Sequence, residues 1–341
     1  MPSGHSATIK PGILGLMLLV ASAFACGPAV ELPPIPREGT PAGGSPVGPG
    51  LPAGGLAVWE SNRDGSWGIW VQSFDERGPR RLSPLEAGRD HCCAHISPGG
   101  RQVAYLSRPT LGDYQERPID GELRLLLRDG SGERVLGPAR GQVWANRSAV
   151  WRSEGELILI GADGLTYLHD LPTGRRRALT RVAEPLGWLV DPTLRHATQA
   201  LPSFSPYDAR SRAITSLFGF RGCESYFSAD GRWGYWVERG GGPIRRMRLG
   251  DRLVSDWIGR DDPRLPKGRR YVYFPMLSRD GGWLAYGASG GGHSHSKANY
   301  EIFVVPVDRE TLDLTGPPLR LTDHPKVDRY PDLWVPADAR P

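Results

Sequence analysis

Residues 57–83 read AVWESNRDGSWGIWVQSFDERGPRRLS, and residues 284–322 read LAYGASGGGHSHSKANYEIFVVPVDRETLDLTGPPLRLT. Both pass through a short apolar strand, a Gly-bearing loop, an aromatic-rich strand, an acidic turn and a last strand closing on Arg-Leu-Ser or Arg-Leu-Thr. One supersecondary pattern near both ends of a chain implies small units stacked side by side. The stretch between them carries a recurring turn: Ser97-Pro98-Gly99-Gly100, Ser153-Glu154-Gly155, Ser228-Ala229-Asp230-Gly231 and Ser278-Arg279-Asp280-Gly281. Each is followed by an apolar strand, namely QVAYLS, ELILIG, WGYWVE and WLAYGA. Asp-Gly and Gly-Gly supply the positive φ that such hairpin turns require.

Units of three or four short strands are propeller blades. With 45 Gly and 32 Pro among 341 residues, the chain favours tight turns over helices. No sustained i, i+3, i+4, i+7 apolar stripe lies beyond the N-terminus. The expected fold is all-β: a single β-propeller, with six blades of four-stranded antiparallel sheet of about 48 residues each. Blade four, somewhere in 183–220, is degenerate, with Ser205-Pro206-Tyr207-Asp208 as its recognisable turn. The globular part opens at a second strand, AVWES, and closes with a first strand, Tyr330-Pro331-Asp332-Leu333-Trp334-Val335. Pairing those two would close the ring and remove its free edges. Trp59, Trp70, Trp151, Trp236, Trp283 and Trp334 are expected in strands between blades. Trp144, Tyr114 and Tyr207 are expected in loops.

Residues 1–26 read as a signal peptide. Lys10 precedes an apolar run from Ile13 to Ala25, which is shorter than the ~20 residues a bilayer span needs. Ala23-Phe24-Ala25-Cys26 resembles a lipobox, making Cys26 the lipidation candidate; ordinary cleavage after Ala25 is the alternative. Residues 27–55 form a Pro/Gly-rich tether that buries too little to order itself, and 56–341 form the propeller. The chain is therefore expected to be bacterial, exported and membrane-anchored, in the periplasm or at the cell surface, touching membrane through its N-terminal lipid only. Gly27 after the Cys resembles an outer-membrane sorting signal. The net charge of +5 comes with no nucleic-acid motif, so nucleic acid is excluded as a partner.

The Ser-Pro/Ala-Asp/Gly-Gly turns and the closing Arg-Leu-Thr resemble the repeats of TolB-type β-propellers. The resemblance covers blades one, two, five and six well and blade three fairly. TolB carries an α/β domain ahead of its propeller, and only the tether stands here. The resemblance therefore implies a propeller that holds proteins or small ligands at one face, and not TolB's part in an energy-coupling complex.

Several groups bear on chemistry. Gly287-Ala288-Ser289-Gly290-Gly291 fits G-x-S-x-G, but a nucleophile elbow needs a strand-to-helix turn, and the pattern here is strand to Gly-rich loop. His91 and His95 lead into the inner strand of blade two, and His293 and His295 lie in the loop between strands two and three of blade six. Both segments are expected at one mouth of the channel. His293 and His295 are the metal candidates, without a carboxylate partner; ligation by His91, Cys92 and His95 is a lesser alternative. Cys223 faces Cys92 and Cys93 from the opposite blade, too far for a bridge, leaving a vicinal Cys92–Cys93 bond or free thiols.

No cofactor is implied and no catalytic residue is assigned. The expected function is a monomeric, non-enzymatic scaffold for an envelope protein or polysaccharide, bound at a rim of Arg89, His91, Tyr114, His293, His295, Arg329 and Tyr330. The Arg108–Asp120 insertion would overhang that rim, and His293, His295 and Arg329 are expected to face solvent. The alternative is a propeller enzyme, a hydrolase or metal-dependent lyase, working at the channel mouth.

Overall fold

The computed structural model describes residues 50–76, 78–110, 119–142, 147–184, 187–199, 203–215 and 219–337. No helix occurs among them, and so none long and apolar enough to cross a membrane. Blade one begins with β1 (Leu56–Ser61), β2 (Gly68–Ser73) and β3 (Arg80–Arg81). Blade two is β4 (Arg89–Ile96), β5 (Gln102–Pro109), β6 (Ile119–Leu127) and β7 (Arg134–Gly141). Blade three is β8 (Ala149–Ser153), β9 (Glu156–Ile160), β10 (Thr166–Asp170) and β11 (Arg176–Ala178). Blade four is β12 (Leu189–Val190), β13 (His196–Thr198), β14 (Phe204–Asp208) and β15 (Ala213–Ile214). Blade five is β16 (Cys223–Phe227), β17 (Trp233–Val237), β18 (Ile244–Arg248) and β19 (Leu253–Ile258). Blade six is β20 (Tyr271–Leu277), β21 (Trp283–Ser289), β22 (Glu301–Pro306) and β23 (Leu319–Arg320), after which β24 (Asp328–Trp334) returns to blade one.

The ring closes as the termini suggest. β24 pairs antiparallel with β1, Ala57 opposite Leu333 and Val58 opposite Asp332, giving the order β24-β1-β2-β3. Trp59 Nε1 donates to Asp328 Oδ1 at 3.1 Å across that seam. Blades two and three share one sheet because Arg140 of β7 pairs with Ile160 of β9. Residues 1–49, where the signal peptide, Cys26 and most of the tether are expected, lie outside the described residues. The last tether residues pack on blade one, where Gly54 N–H donates to Asp75 Oδ2 at 2.7 Å and Leu51 lies against the apolar cluster of Trp59 and Phe74.

The recurring motifs have physical jobs. In the turn after each inner strand, the peptide N–H of Gly100, Gly231 and Gly281 donates to the carbonyl of Ser97, Ser228 and Ser278. Those glycines have φ of 69°, 67° and 73°. The serine hydroxyl then accepts the first N–H of the next strand, as in Trp233 N to Ser228 Oγ and Trp283 N to Ser278 Oγ, both 2.9 Å. In the closing Arg-Leu-Ser/Thr, the leucine (Leu82, Leu179, Leu321) is buried. Its neighbouring hydroxyl accepts from the third strand: Ile69 N to Ser83 Oγ 3.0 Å, Thr166 N to Thr180 Oγ1 2.9 Å, Ile302 N to Thr322 Oγ1 2.9 Å.

Blade four departs from the sequence reading. Ser205–Asp208 belongs to strand β14, and Tyr207 is buried, its hydroxyl donating to Leu179 O at 2.7 Å. The true turn is Asp191-Pro192-Thr193-Leu194. There Asp191 replaces the serine, its Oδ2 accepting His196 N at 2.8 Å, and Leu194 takes the glycine conformation at φ 58°.

The six named tryptophans all lie in strands, and Trp59, Trp151, Trp236 and Trp283 are fully buried or nearly so. Inter-blade clusters such as Phe204, Phe227 and Trp236 between blades four and five fill the gaps that the radial sheets leave. Each such side chain contributes about 1.5–3 kcal/mol of burial.

Candidate functional site

The inner strands share a backbone device. Cys93, Glu224 and Phe274, each four residues before a turn-opening serine, stand in the left-handed region with φ of 65°, 60° and 60°, as does Tyr330 at the matching place in β24, at 48°; Gly187 holds the corresponding place in blade four at 72°. In blades two, five and six this coincides with a register shift against the second strand, as a β-bulge requires. A non-glycine residue in this region costs about 1–2 kcal/mol. Two carboxylates on the axis offset it by taking the freed peptide N–H groups: Cys93 N to Glu60 Oε1 at 2.8 Å and Phe274 N to Glu224 Oε2 at 2.7 Å.

Around these bulges lies the mouth expected from the sequence. The loop between strands two and three of blades one and six meets the beginnings of the inner strands, as anticipated: His91 N–H donates to Trp67 O at 3.0 Å, and Arg329 Nη1 donates to His295 O at 2.8 Å. Arg329 also donates through Nε to Glu60 Oε2 at 3.0 Å and lies 3.6 Å over the Trp67 ring. The Tyr330 hydroxyl is 3.3 Å from His295 Nδ1, and that nitrogen is 3.6 Å from Glu224 Oε1.

The expectation of solvent-facing His295 and Arg329 is therefore corrected. They are 4% and 0% exposed, because a guanidinium that finds a carboxylate and an indole face is better placed inside. His91 and Tyr330 are buried too. His91 and His95 sit within β4 itself and do not merely lead into it. Arg89 and His293 keep partial exposure; Arg89 is tied to Ser107 Oγ at 2.8 Å and Glu122 Oε2 at 3.1 Å. The insertion is shorter than expected, since β5 runs to Pro109 and β6 starts at Ile119, and Arg108 is buried beside Asp90 at 3.4 Å. Tyr114 and Trp144 lie outside the described residues.

Burial shapes the acid–base character of this region. It pushes the Glu224 carboxyl up to about 8, against the pull of the Phe274 N–H and Arg147. It drives His295 down to about 3, with His293 adding repulsion, and His91 down to about 4, helped by Arg81 and Arg124. Near neutrality the axis thus holds a protonated acid beside neutral imidazoles.

Among the described residues the metal-competent group is Glu60, Cys92 and Cys93, whose donor atoms lie within 4.8 Å of one another; His293 and His295 form no such group. That trio does not fit an ion. Glu60 is already engaged by Cys93 N–H and Arg329, and the two sulfurs are 2.6 Å apart. Two thiolates on one zinc, at ~2.3 Å each, stand about 3.8 Å apart. Cys92 and Cys93 are free thiols, and burial raises the Cys93 thiol. Cys223 is disulfide-bonded, and its partner is neither of them. Ser289 ends β21, buried, with its hydroxyl on Asn299 Oδ1 at 3.1 Å, and no helix follows.

The opposite mouth, at the far ends of the inner strands, holds a small cavity of about 60 Å3. Each blade contributes a wall: Trp334, Ile96, Trp151, Pro192, Tyr226 and Met276 in blade order. Four polar side chains join them: His95, Ser97, Arg279 and Asp332. His95 stacks on Tyr226, with ring centroids 5.7 Å apart and 2° between planes, and its Nδ1 is 3.6 Å from Asp332 Oδ2. Asp332 Oδ2 accepts Ile96 N–H at 2.8 Å. Arg279 donates to the Trp151 and Arg152 carbonyls at 3.0 Å each.

Sequence reasoning missed Glu60, Arg147, Glu224, Arg279 and Asp332. Signals existed. Glu60 follows the apolar run Leu56–Trp59, and Glu224 stands in the aromatic-bearing strand CESYF. Arg279 stands in its turn where blades two, four and five place Pro98, Pro192 and Ala229, and blade three opposite it places Glu154.

No protein-family model matches the sequence, and no curated protein is significantly similar to it. Solved structures do match. TolB from Acinetobacter baumannii superimposes with a TM-score of 0.56 over 82% of this chain and 66% of that one, at 15% identity. The fold is a TolB-like β-propeller. A chain of a nidogen/laminin complex matches with a TM-score of 0.50 at 10% identity, covering 82% of this chain and 97% of its own. The TolB-like propeller spans just under two thirds of the Acinetobacter protein's length, and at these identities the likeness is one of shape.

Proposed function

We propose that this TolB-like propeller is an exported, lipid-anchored, non-enzymatic scaffold that holds an envelope protein or polymer at the rim carrying Arg89 and His293. The observation behind this reading is the state of the axial residues. Glu60, Glu224, His295 and Arg329 are engaged with one another and buried, so they stiffen the rim and are out of a substrate's reach. A protein-protein assembly among the structural neighbours fits a protein partner.

The test is cross-linking in the native envelope, comparing the unaltered chain with Arg89→Glu/His293→Asp. The double variant should lose its cross-linked partner while keeping its melting temperature, and capture at full yield would refute the rim. For the anchor, Cys26→Ser should shift the chain from membrane to soluble exported fraction. Acylation also requires that Cys26 be free of any disulfide, which intact-mass analysis decides.

A further inference from the structure

Blades two and three are stitched together at the rim end and part at the turn end. Arg140 pairs with Ile160, and Arg176 of blade three donates to the Leu136 and Pro138 carbonyls of β7 at 3.0 and 3.1 Å. Below these bonds a cleft of about 390 Å3 opens, with Leu125, Leu127 and Arg134 on one wall and Glu154, Leu171 and Pro172 on the other. Register sets the first wall, because opposed residues of an antiparallel pair share a face. Gln102 stands opposite Leu127, and Leu125 opposite both Ala104 and Arg134. Leu125 belongs to the apolar cluster between these two blades, so this set faces blade three. Trp151 is the one buried aromatic of that cluster, the rest being cysteine, alanine and leucine. By contrast Phe204, Phe227 and Trp236 fill the gap between blades four and five, and Trp59, Phe74 and Trp283 that between six and one. Smaller side chains leave the gap unfilled, and Leu127 stays 42% exposed.

We propose that this cleft docks an extended segment of a partner protein, with two aliphatic side chains against Leu125, Leu127 and Leu171 and an acidic one on Arg134. The volume falls within the range of about 300 to 1,000 Å3 that ligand pockets span. The cleft is open to solvent along one side, so its occupant needs one apolar and one wet face. An extended peptide has both, because its side chains alternate, whereas an acyl chain would leave apolar surface in water. Charge sets the acid's place. Arg134 is exposed and has no ion pair among the described residues. After burial, the charges of Arg176 and Arg134 hold the neighbouring His169 below its usual range, so positive charge prevails at that wall. Glu154, whose carboxylate accepts Gly99 N–H, would repel a second acid from the other wall. The Gln102 amide is placed to hydrogen-bond the segment's backbone. This surface is separate from the rim and stands whether or not the rim holds a partner.

Calorimetry on the full chain with the blocked peptide acetyl-Asp-Gly-Leu-Gly-Leu-Gly-amide tests the proposal, since its Asp and both Leu side chains fall on one face when extended. Replacing the peptide's Asp by Asn should weaken binding about threefold, and replacing either Leu by Ser about tenfold. In the chain, Leu127→Asp should lower affinity about tenfold or more. Arg134→Glu should prefer a peptide with Lys in place of Asp, reversing the order of the unaltered chain. Both positions are exposed, so the melting temperatures of these variants should hold. The rim variant Arg89→Glu/His293→Asp should bind the peptide as the unaltered chain does, which separates this site from the rim. Equal binding of the Asp and Asn peptides, undiminished binding in Leu127→Asp, loss in the rim variant, or no binding at millimolar concentration would overturn it. Octanoate binding more tightly than the peptide would overturn the peptide in favour of an acyl chain.

Discussion

Arg147 and Arg279 cross the channel in opposite directions between the same two blades. Arg147, just before β8 of blade three, donates through Nη2 to Pro275 O of blade six at 3.0 Å, while Arg279 of blade six returns to the Trp151 and Arg152 carbonyls of blade three. Blades three and six stand opposite in a ring of six, so these side chains tie the structure across its axis, where neighbour-to-neighbour packing cannot. Arg147 also lies 4.7 Å over the Tyr226 ring. Arg147→Met should cost about 1–3 kcal/mol through the unpaired Pro275 carbonyl, measured as a lower urea midpoint at unchanged m-value.

The Glu60–Arg329 pair is fully buried, so removing one partner strands the other charge. Arg329→Met alone should cost about 3–5 kcal/mol. Adding Glu60→Gln keeps an acceptor for Cys93 N–H while removing the orphaned charge. The double variant should therefore be more stable than Arg329→Met, and a double-mutant cycle by chemical denaturation gives the coupling.

Stability should peak near pH 6.5. Glu224 is raised from 4.5 to about 8, so the folded state binds the extra proton between those values, and stability falls as pH rises through 8. His91 and His295 are lowered from 6.5 to about 4 and about 3, so the unfolded state binds more protons below 6.5 and stability falls as pH drops. Between 4.5 and 6.5 the two histidines outweigh the one carboxyl. Above 6.5 Glu224 acts alone, with a slope of about 1.4 kcal/mol per pH unit. Urea titrations from pH 5 to 8.5 should show the maximum, and Glu224→Gln should flatten its alkaline side.

Cys92 and Cys93 are buried free thiols. A thiol-specific reagent should label neither in the native chain and both after denaturation. Absence of label in the unfolded, unreduced protein would instead indicate a vicinal bond.

The propeller was legible because its motifs are local. A Ser-x-x-Gly turn and an Arg-Leu-Thr close act within a few residues of where they are written, so the blades and the β24–β1 closure follow from reading them. Blade four resisted because Asp191 and Leu194 perform the same turn with other residues, one by carboxylate in place of hydroxyl, the other by accepting a left-handed backbone. The axis resisted for a different reason. Glu224 meets Phe274 across 50 residues of chain, and Arg329 meets Glu60 across 269. A histidine in a Gly-rich loop reads as solvated until the strand that covers it is known. His295 was therefore placed on the right face and at the wrong depth.

Under the proposed N-terminal anchor, the closing sheet also has a mechanical meaning. β1 lies between β2 and β24, paired antiparallel to both. Tension arriving at Leu56 runs along the strand and loads both ladders in shear at once, so bonds break together and not one by one as in peeling. Because β24 supplies one of those ladders, a strand made long after β1 is also the clasp that lets β1 bear load.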